Sequence, residues 1–149
     1  FRTEPREYLP AKRSIFNRIV PEATGGGFEL AFAHFLDHAA DVAAFAKNYL
    51  AVGFKIDYVR ADGDLAHYIP DFLVKTTDGT VWIIETKGRV ELDLPHKMAR
   101  LKLWCEDASA ASRADGGPVY RFLYVDQEGF EAHKPKALAD LAASFRDYQ

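Results

Sequence analysis

Cysteine is almost missing from this chain. Cys105 stands alone, so no disulfide can close within the chain and no multi-cysteine zinc site can form. That usage suits a reducing compartment, and a cytoplasmic location is the expectation. Long apolar runs are missing too. The longest, near residues 28–36 and 42–46, are too short to span a bilayer, so no membrane role is expected. Residues 1–20 carry five basic side chains, but no apolar stretch follows as a secretion signal would require. A large charge of one sign is absent: the net charge is −3 and the pI about 5.9. This argues against strong non-specific binding of nucleic acid by the chain alone. The triple glycine at 25–27 is not followed by Gly-Lys-Ser/Thr, so it is no phosphate-binding loop, and no serine sits in a nucleophile elbow. No internal repeat is visible.

What is present is core material. Of 149 residues, 48% are hydrophobic and 13% aromatic, enough to fill one ordinary domain without covalent or metal staples. Pro5, Pro10 and Pro21 interrupt the first 24 residues, which read as an N-terminal arm or linker; residues 25–149 read as the domain. Basic charge gathers in the arm, where Arg2, Arg6, Lys12, Arg13 and Arg18 face Glu4 and Glu7. It gathers again at 89–102, where Arg89, Lys97, Arg100 and Lys102 face Glu91 and Asp93.

Helical spacing of Phe28, Phe32, Phe35 and Leu36 predicts a helix over 28–38, with Glu29 in its first turn. Asp41 as N-cap, with Val42, Phe45 and Tyr49 on one side, predicts a second short helix. Alternation over 53–60 puts Phe54, Ile56 and Tyr58 on one face of a strand. Two further strands, YIPDFLVK and TVWIIETK, flank Thr77-Asp78-Gly79, a hairpin turn; Pro70 must sit at an edge, a bulge or an unpaired position. A helix over 93–113 follows, capped by Asp93, with Leu94, Met98, Leu101, Trp104, Cys105 and Ala108 as its buried stripe. Residues 119–125 form a central apolar strand, and Pro135 opens a last helix with Leu138, Leu141, Ala142 and Phe145 inward. The expected class is therefore α/β: helix, three-strand antiparallel meander, helix, strand, helix, around a small mixed sheet with a right-handed crossover.

The chemistry concentrates on the hairpin. Alternation puts Glu85 and Lys87 on one strand face with Val81 and Ile83, and Trp82, Ile84 and Thr86 on the other. A three-residue turn with a bulge at Gly79 pairs Thr76 with Thr80, and so sets Asp71 opposite Glu85. A two-residue turn pairs Asp71 with Thr86 instead. Two carboxylates facing each other among Ile, Phe, Val and Trp need compensation. Lys87 supplies one positive charge. A hard divalent cation with oxygen ligands, Mg2+ or Mn2+ in its place, would remove the remainder. A carboxylate-held cation beside a lysine suits phosphate chemistry.

Pro70-Asp71, a spacer and Glu85-Thr86-Lys87 resemble the motif of the PD-(D/E)xK nuclease superfamily, and the element order and Glu29 match its core. More closely, the chain resembles the C-terminal endonuclease domain of the Res subunit of type III restriction enzymes. The residues that carry this are FELAFAHFLD, FAKNYLAVGFKIDY, YIPDFLVKTTDGTVWIIETKG, KMARLKLWC and YRFLYVDQEGF, and the likeness runs from residue 14 onward. It implies Asp71, Glu85 and the Thr86 carbonyl as metal ligands, Lys87 as the residue that positions water, and Glu29 acting through a water or a second metal. It implies Mg2+-dependent hydrolysis of DNA, with an ATP-driven helicase-like region upstream and a methyltransferase (Mod) subunit as partner.

Plainer readings stand beside these. Glu29 also suits a helix N-terminus for its charge alone. Lys97 and Arg100 can touch DNA phosphates or simply face solvent. His34 and His38 have i, i+4 spacing, but Phe35 breaks the HExxH pattern, and they read as ordinary histidines. Cys105, Trp82 and Tyr68 read as packing residues. The rival functions are a catalytically inactive module of the same fold used for DNA contact or subunit docking, and a repair or recombination nuclease that keeps the site.

Overall fold

The computed structural model describes residues 8–20, 26–49, 52–87 and 94–145, and shows a mixed α/β chain. A ribbon of β1 (Leu9–Pro10) and β2 (Arg18–Ile19) leads to helix α1 (Gly26–His38) and strand β3 (Val42–Lys47). Strands β4 (Ile56–Val59) and β5 (Leu65–Tyr68) form a separate two-stranded sheet. Then come β6 (Phe72–Thr76), β7 (Val81–Lys87), helix α2 (Leu94–Ala114), β8 (Tyr120–Asp126), and short helices α3 (Gln127–His133) and α4 (Leu138–Ser144). The main sheet has the order β3-β6-β7-β8, antiparallel except for the β7–β8 pair.

The helix expected after Asp41 is a strand. β3 carries a bulge between Val42 and Ala44, so Val42 and Phe45, three residues apart, both enter the same core cluster. A bulge adds one residue to a period of two, and the result imitates helical spacing in the sequence. Asp41 does cap a helix, but a distant one: its carboxylate accepts from the N–H groups of Leu138 and Ala139 at the start of α4, both at 2.9 Å. The start of β3 and the start of α4 are thereby tied together.

The expected meander is corrected in consequence. Its first strand is β3, and β4 pairs only with β5, outside the main sheet. The run YIPDFLVK is two strands rather than one, broken at Ile69-Pro70-Asp71, because Pro70 has no N–H to continue a ladder. β8, expected to be central, ends the sheet order, yet its middle is buried because helices cover it. Helix α3 falls where no element was read. The Asp93 cap lies outside the described residues.

Within the expected arm, residues 8–20 lie against the domain. Ile19 is fully buried, and the N–H of Ile15 and the carbonyl of Arg13 bond to the backbone of Phe45 on the free side of β3. The Lys12 and Arg13 amides donate to Asp37 Oδ1, and the Arg13 guanidinium donates to the carbonyls of Ala39 and Val42.

The turn after β6 has the bulged form. Thr76 N–H bonds to Thr80 O, Gly79 N–H to Thr76 O, and Gly79 has φ of +88°, which an L side chain resists. Asp78 Oδ1 accepts from Thr76 Oγ1 and Thr80 N–H and locks the turn. The register is Phe72 opposite Ile84 and Leu73 opposite Ile83. Strand alternation then fills two cores. Phe72, Val74, Trp82, Ile84, Leu123 and Val125 face α1 and α4, whereas Ile83 and Phe122 face Leu101 and Cys105 of α2, and Tyr58 and Tyr68 of the small sheet.

Candidate functional site

The site forms where β6 has not yet begun and β7 is ending. The ladder stops at the Phe72–Ile84 pair, and the same register carried one step further sets Asp71 opposite Glu85. Beyond that point the Thr86 amide has no β6 backbone to meet. Asp71 takes it: its Oδ2 accepts from both the N–H and the Oγ1–H of Thr86, each at 2.7 Å. The N–H and C=O of a strand residue point to the same side, so the Thr86 carbonyl opens toward the side from which Asp71 approaches. Both hydrogen bonds of the Asp71 carboxylate to Thr86 fall on Oδ2, which leaves the lone pairs of Oδ1 for another ligand.

Asp71 is held there by Asn48, which sequence reading missed. The Asn48 side-chain amide donates to the carbonyls of Phe54 and Pro70, both at 2.8 Å, and its backbone N–H donates to Asp71 O at 2.7 Å. One buried residue thus clamps both ends of the β4–β5 hairpin to the end of β3. No sequence signal marks this, because an asparagine after a lysine reads as surface.

Glu85 is only 2% exposed. Tyr68 Oη donates to its Oε2 at 3.1 Å, and Lys87 Nζ lies 3.0 Å from its Oε1. Tyr68 therefore packs, as expected, and also has a polar role. Burial and then the charge of Asp71 push the Glu85 carboxyl up to about 8, against the opposing pull of Lys87 and Tyr68. Asp71 is raised as well, chiefly by burial, while its bonds from Thr86 and the charge of Lys47 pull it down.

Glu29, in the first turn of α1, reaches the same region but not as a free carboxylate. Lys47 Nζ lies 2.8 Å from its Oε2, and Lys47 is 1% exposed. Lys47 was read as part of a helix. Its place at the inner end of β3 depends on the bulge described above. The ammonium also sits over the rings of Phe72 and Tyr49, at 5.4 and 5.6 Å from their centroids.

The structure brings Asp71, Glu85, Thr86 and Lys87 together, with Glu29 and Lys47 behind Asp71. Lys97 lies over the rings of Tyr58 and Tyr68, 5.9 and 5.6 Å from their centroids, next to the partner of Glu85. Arg100 is half-buried on the same helix. His34 and His38 are exposed and stacked at 4.2 Å, and His38 Nδ1–H donates to His34 O. Cys105 is buried, and its thiol is pushed up to about 12 by burial, so it is no nucleophile.

No protein-family model, curated protein or solved structure matches the chain.

The donor set near Asp71 suits a hard cation. The Asp71 and Glu85 carboxylates and the Thr86 carbonyl are all oxygen donors. No group of three or more His, Cys, Asp or Glu converges as ligands among the described residues. That excludes a closed, all-protein cage of such groups there. Mg2+ does not need one, since it is commonly held by one or two carboxylates with water and substrate phosphate completing the shell. No described helix is long and apolar enough to cross a membrane.

Proposed function

We propose that this chain is a Mg2+-dependent endonuclease domain of the PD-(D/E)xK kind, similar to the nuclease domain of type III restriction enzymes, and that it hydrolyses DNA phosphodiester bonds. The observation that carries the proposal is a buried carboxylate, Glu85, beside a half-buried one, Asp71, at adjoining strand ends with Lys87 against Glu85. Such a pair can hold both charges at once only with nearby positive charge to offset them. The element order, a helix, three antiparallel strands of one sheet, a helix and a parallel fourth strand, agrees with this reading once the β4–β5 hairpin is treated as an insertion.

In this reading Asp71, Glu85 and the Thr86 carbonyl hold the ion, Mg2+ or Mn2+. When bound, such an ion lowers the pKa of a water and stabilises charge on a phosphoryl oxygen. Lys87 would then orient the attacking water and stabilise developing charge. Its half-exposed position allows this. Tyr68 keeps the far oxygen of Glu85 fixed, and Asn48 fixes the backbone of Asp71. Lys97 and Arg100, on the helix that follows, contribute charge to the DNA side. The chain's net charge of −3 gives little affinity for DNA by itself. DNA would then be delivered by other parts of a larger assembly, a helicase-like ATPase region of the same polypeptide and a methyltransferase subunit, in the cytoplasm.

Asp71→Asn is expected to abolish Mg2+-dependent cleavage of duplex DNA, and Lys87→Ala to lower it by about a hundredfold or more, while both leave ATP hydrolysis by the larger enzyme intact. Unchanged cleavage in either variant would end the proposal. One observation favours the rival, a catalytically inactive docking or DNA-contact module: both oxygens of Glu85 already have protein partners. On that reading no Mn2+ binds.

A further inference from the structure

We infer that Lys47 occupies the place of a second cation, so that Glu29 is not a metal ligand and the site takes a single divalent ion on Asp71 and Glu85. This rests on the metal-dependent reading above and sharpens it. Glu29 sits in the first turn of α1 and Lys47 at the end of β3, and these two elements pack directly on each other. Their charged ends meet at 2.8 Å, with Lys47 1% and Glu29 15% exposed. Neither Lys47 Nζ nor Glu29 Oε2 makes a well-aligned hydrogen bond among the described residues, so each depends on the other's charge. Phe72 and Tyr49 enclose the ammonium with their ring faces, which leaves it no route to water without repacking.

Charge counting supports the same conclusion. With Glu85 ionised, as holding an ion requires, Glu29, Asp71 and Glu85 bring three negative charges and Lys47 and Lys87 two positive ones, so the cluster totals −1. One divalent ion makes it +1, which a single phosphodiester neutralises. A second ion would leave an excess of two positive charges in a buried place, where unpaired charge is most costly. Lys47 also pulls on the charge of Asp71, as a second ion bridging Glu29 and Asp71 would. Lys47 is thus a positioning residue. It fixes Glu29 and holds a positive charge near Asp71 without touching the reacting atoms.

The test is a Mn2+ titration of the chain, with free Mn2+ followed by electron paramagnetic resonance. The native chain is expected to bind one Mn2+, Glu29→Gln to bind one equally well, and Asp71→Asn to bind none. Lys47→Met frees Glu29 and is expected to bind two, the second being lost in the double variant Lys47→Met/Glu29→Gln. Two ions in the native chain, one of them lost in Glu29→Gln, would overturn this inference and leave the metal-dependent reading standing. So would a Lys47→Met chain that folds and still binds one. A native chain that binds none, or an Asp71→Asn chain that still binds Mn2+, would overturn both. If Lys47→Met fails to fold, the native and Glu29→Gln stoichiometries decide alone.

Discussion

Two lysine–glutamate pairs flank Asp71, one within a single strand and one between a helix and a strand. In one, Lys47 and Glu29 are shut between a helix and a strand at 2.8 Å, with the lysine 1% exposed. In the other, Lys87 meets Glu85 at 3.0 Å with its own side chain 28% exposed. The lesson lies in which partner is buried. Where the lysine is enclosed, the pair is a fixed part of the core. Where only the glutamate is enclosed, the lysine can swing away and the carboxylate can change partner. The first pair holds charge in place; in the metal-dependent proposal, the second would exchange its ammonium for an ion.

The largest expected effect separates the pairs by activity. Lys87→Ala should lower cleavage by about a hundredfold or more, the scale seen when a charge-stabilising donor is removed from a catalytic site. Glu29→Gln, which keeps the shape and a hydrogen-bonding side chain, should stay within about tenfold, since it acts only through Lys47. Comparable losses in plasmid-cleavage assays of the two variants would erase the distinction.

Stability should divide them the other way. Lys47→Ala leaves Glu29 buried without its partner and should cost about 3–5 kcal/mol. Lys87→Ala should cost less, because the exposed end of its pair is already shared with water. Urea unfolding of both variants at neutral pH makes the comparison. The double variant Glu29→Gln/Lys47→Met should recover much of the loss, because neither charge is then stranded.

Glu85 also gives the second pair a pH signature. Its carboxyl is raised from an unfolded value of 4.5 to about 8, so between those values the folded chain holds a proton that the unfolded chain has released. Stability without an ion is therefore greatest near or below pH 4.5 as far as this group decides it, and falls as pH rises toward 8. The melting temperature of the ion-free chain should drop from pH 5.5 to 8.5, and Glu85→Gln should flatten that slope. Mn2+ binding at pH 6.5 should release protons into a weakly buffered solution, because the bound carboxylates must be ionised. A melting curve that is level with pH in the native chain would remove the buried acid from the account.

The smallest effect concerns the clamp that serves both pairs. Asn48→Ala removes two hydrogen bonds to Phe54 and Pro70 and should cost about 1–3 kcal/mol. Cleavage should fall further than the folded fraction does, since the backbone of Asp71 loses its anchor. Activity that tracks the folded fraction alone would make Asn48 merely structural.

Local patterns in the chain were sufficient for the hairpin. Thr77-Asp78-Gly79 between alternating apolar runs specifies a hairpin, while its bulged turn and register were decided by the structure. Period-two alternation then assigns Trp82 and Ile84 to one core, Ile83 to the other, and Glu85 with Lys87 to a single face. The stripe of α2, the Phe28–Leu36 face of α1 and the inward Leu138, Leu141 and Phe145 were legible for the same reason, because each repeats within one element. What neighbours in sequence cannot encode, the tertiary fold decided. A bulge made six residues beginning at Val42 look helical, when pairing with Phe72–Thr76 makes them a strand. That choice carried Lys47 to Glu29, Asn48 to Asp71 and Asp41 to a helix 97 residues away. Each of these contacts joins distant segments, and its energy exists only after the chain has closed the loop between them.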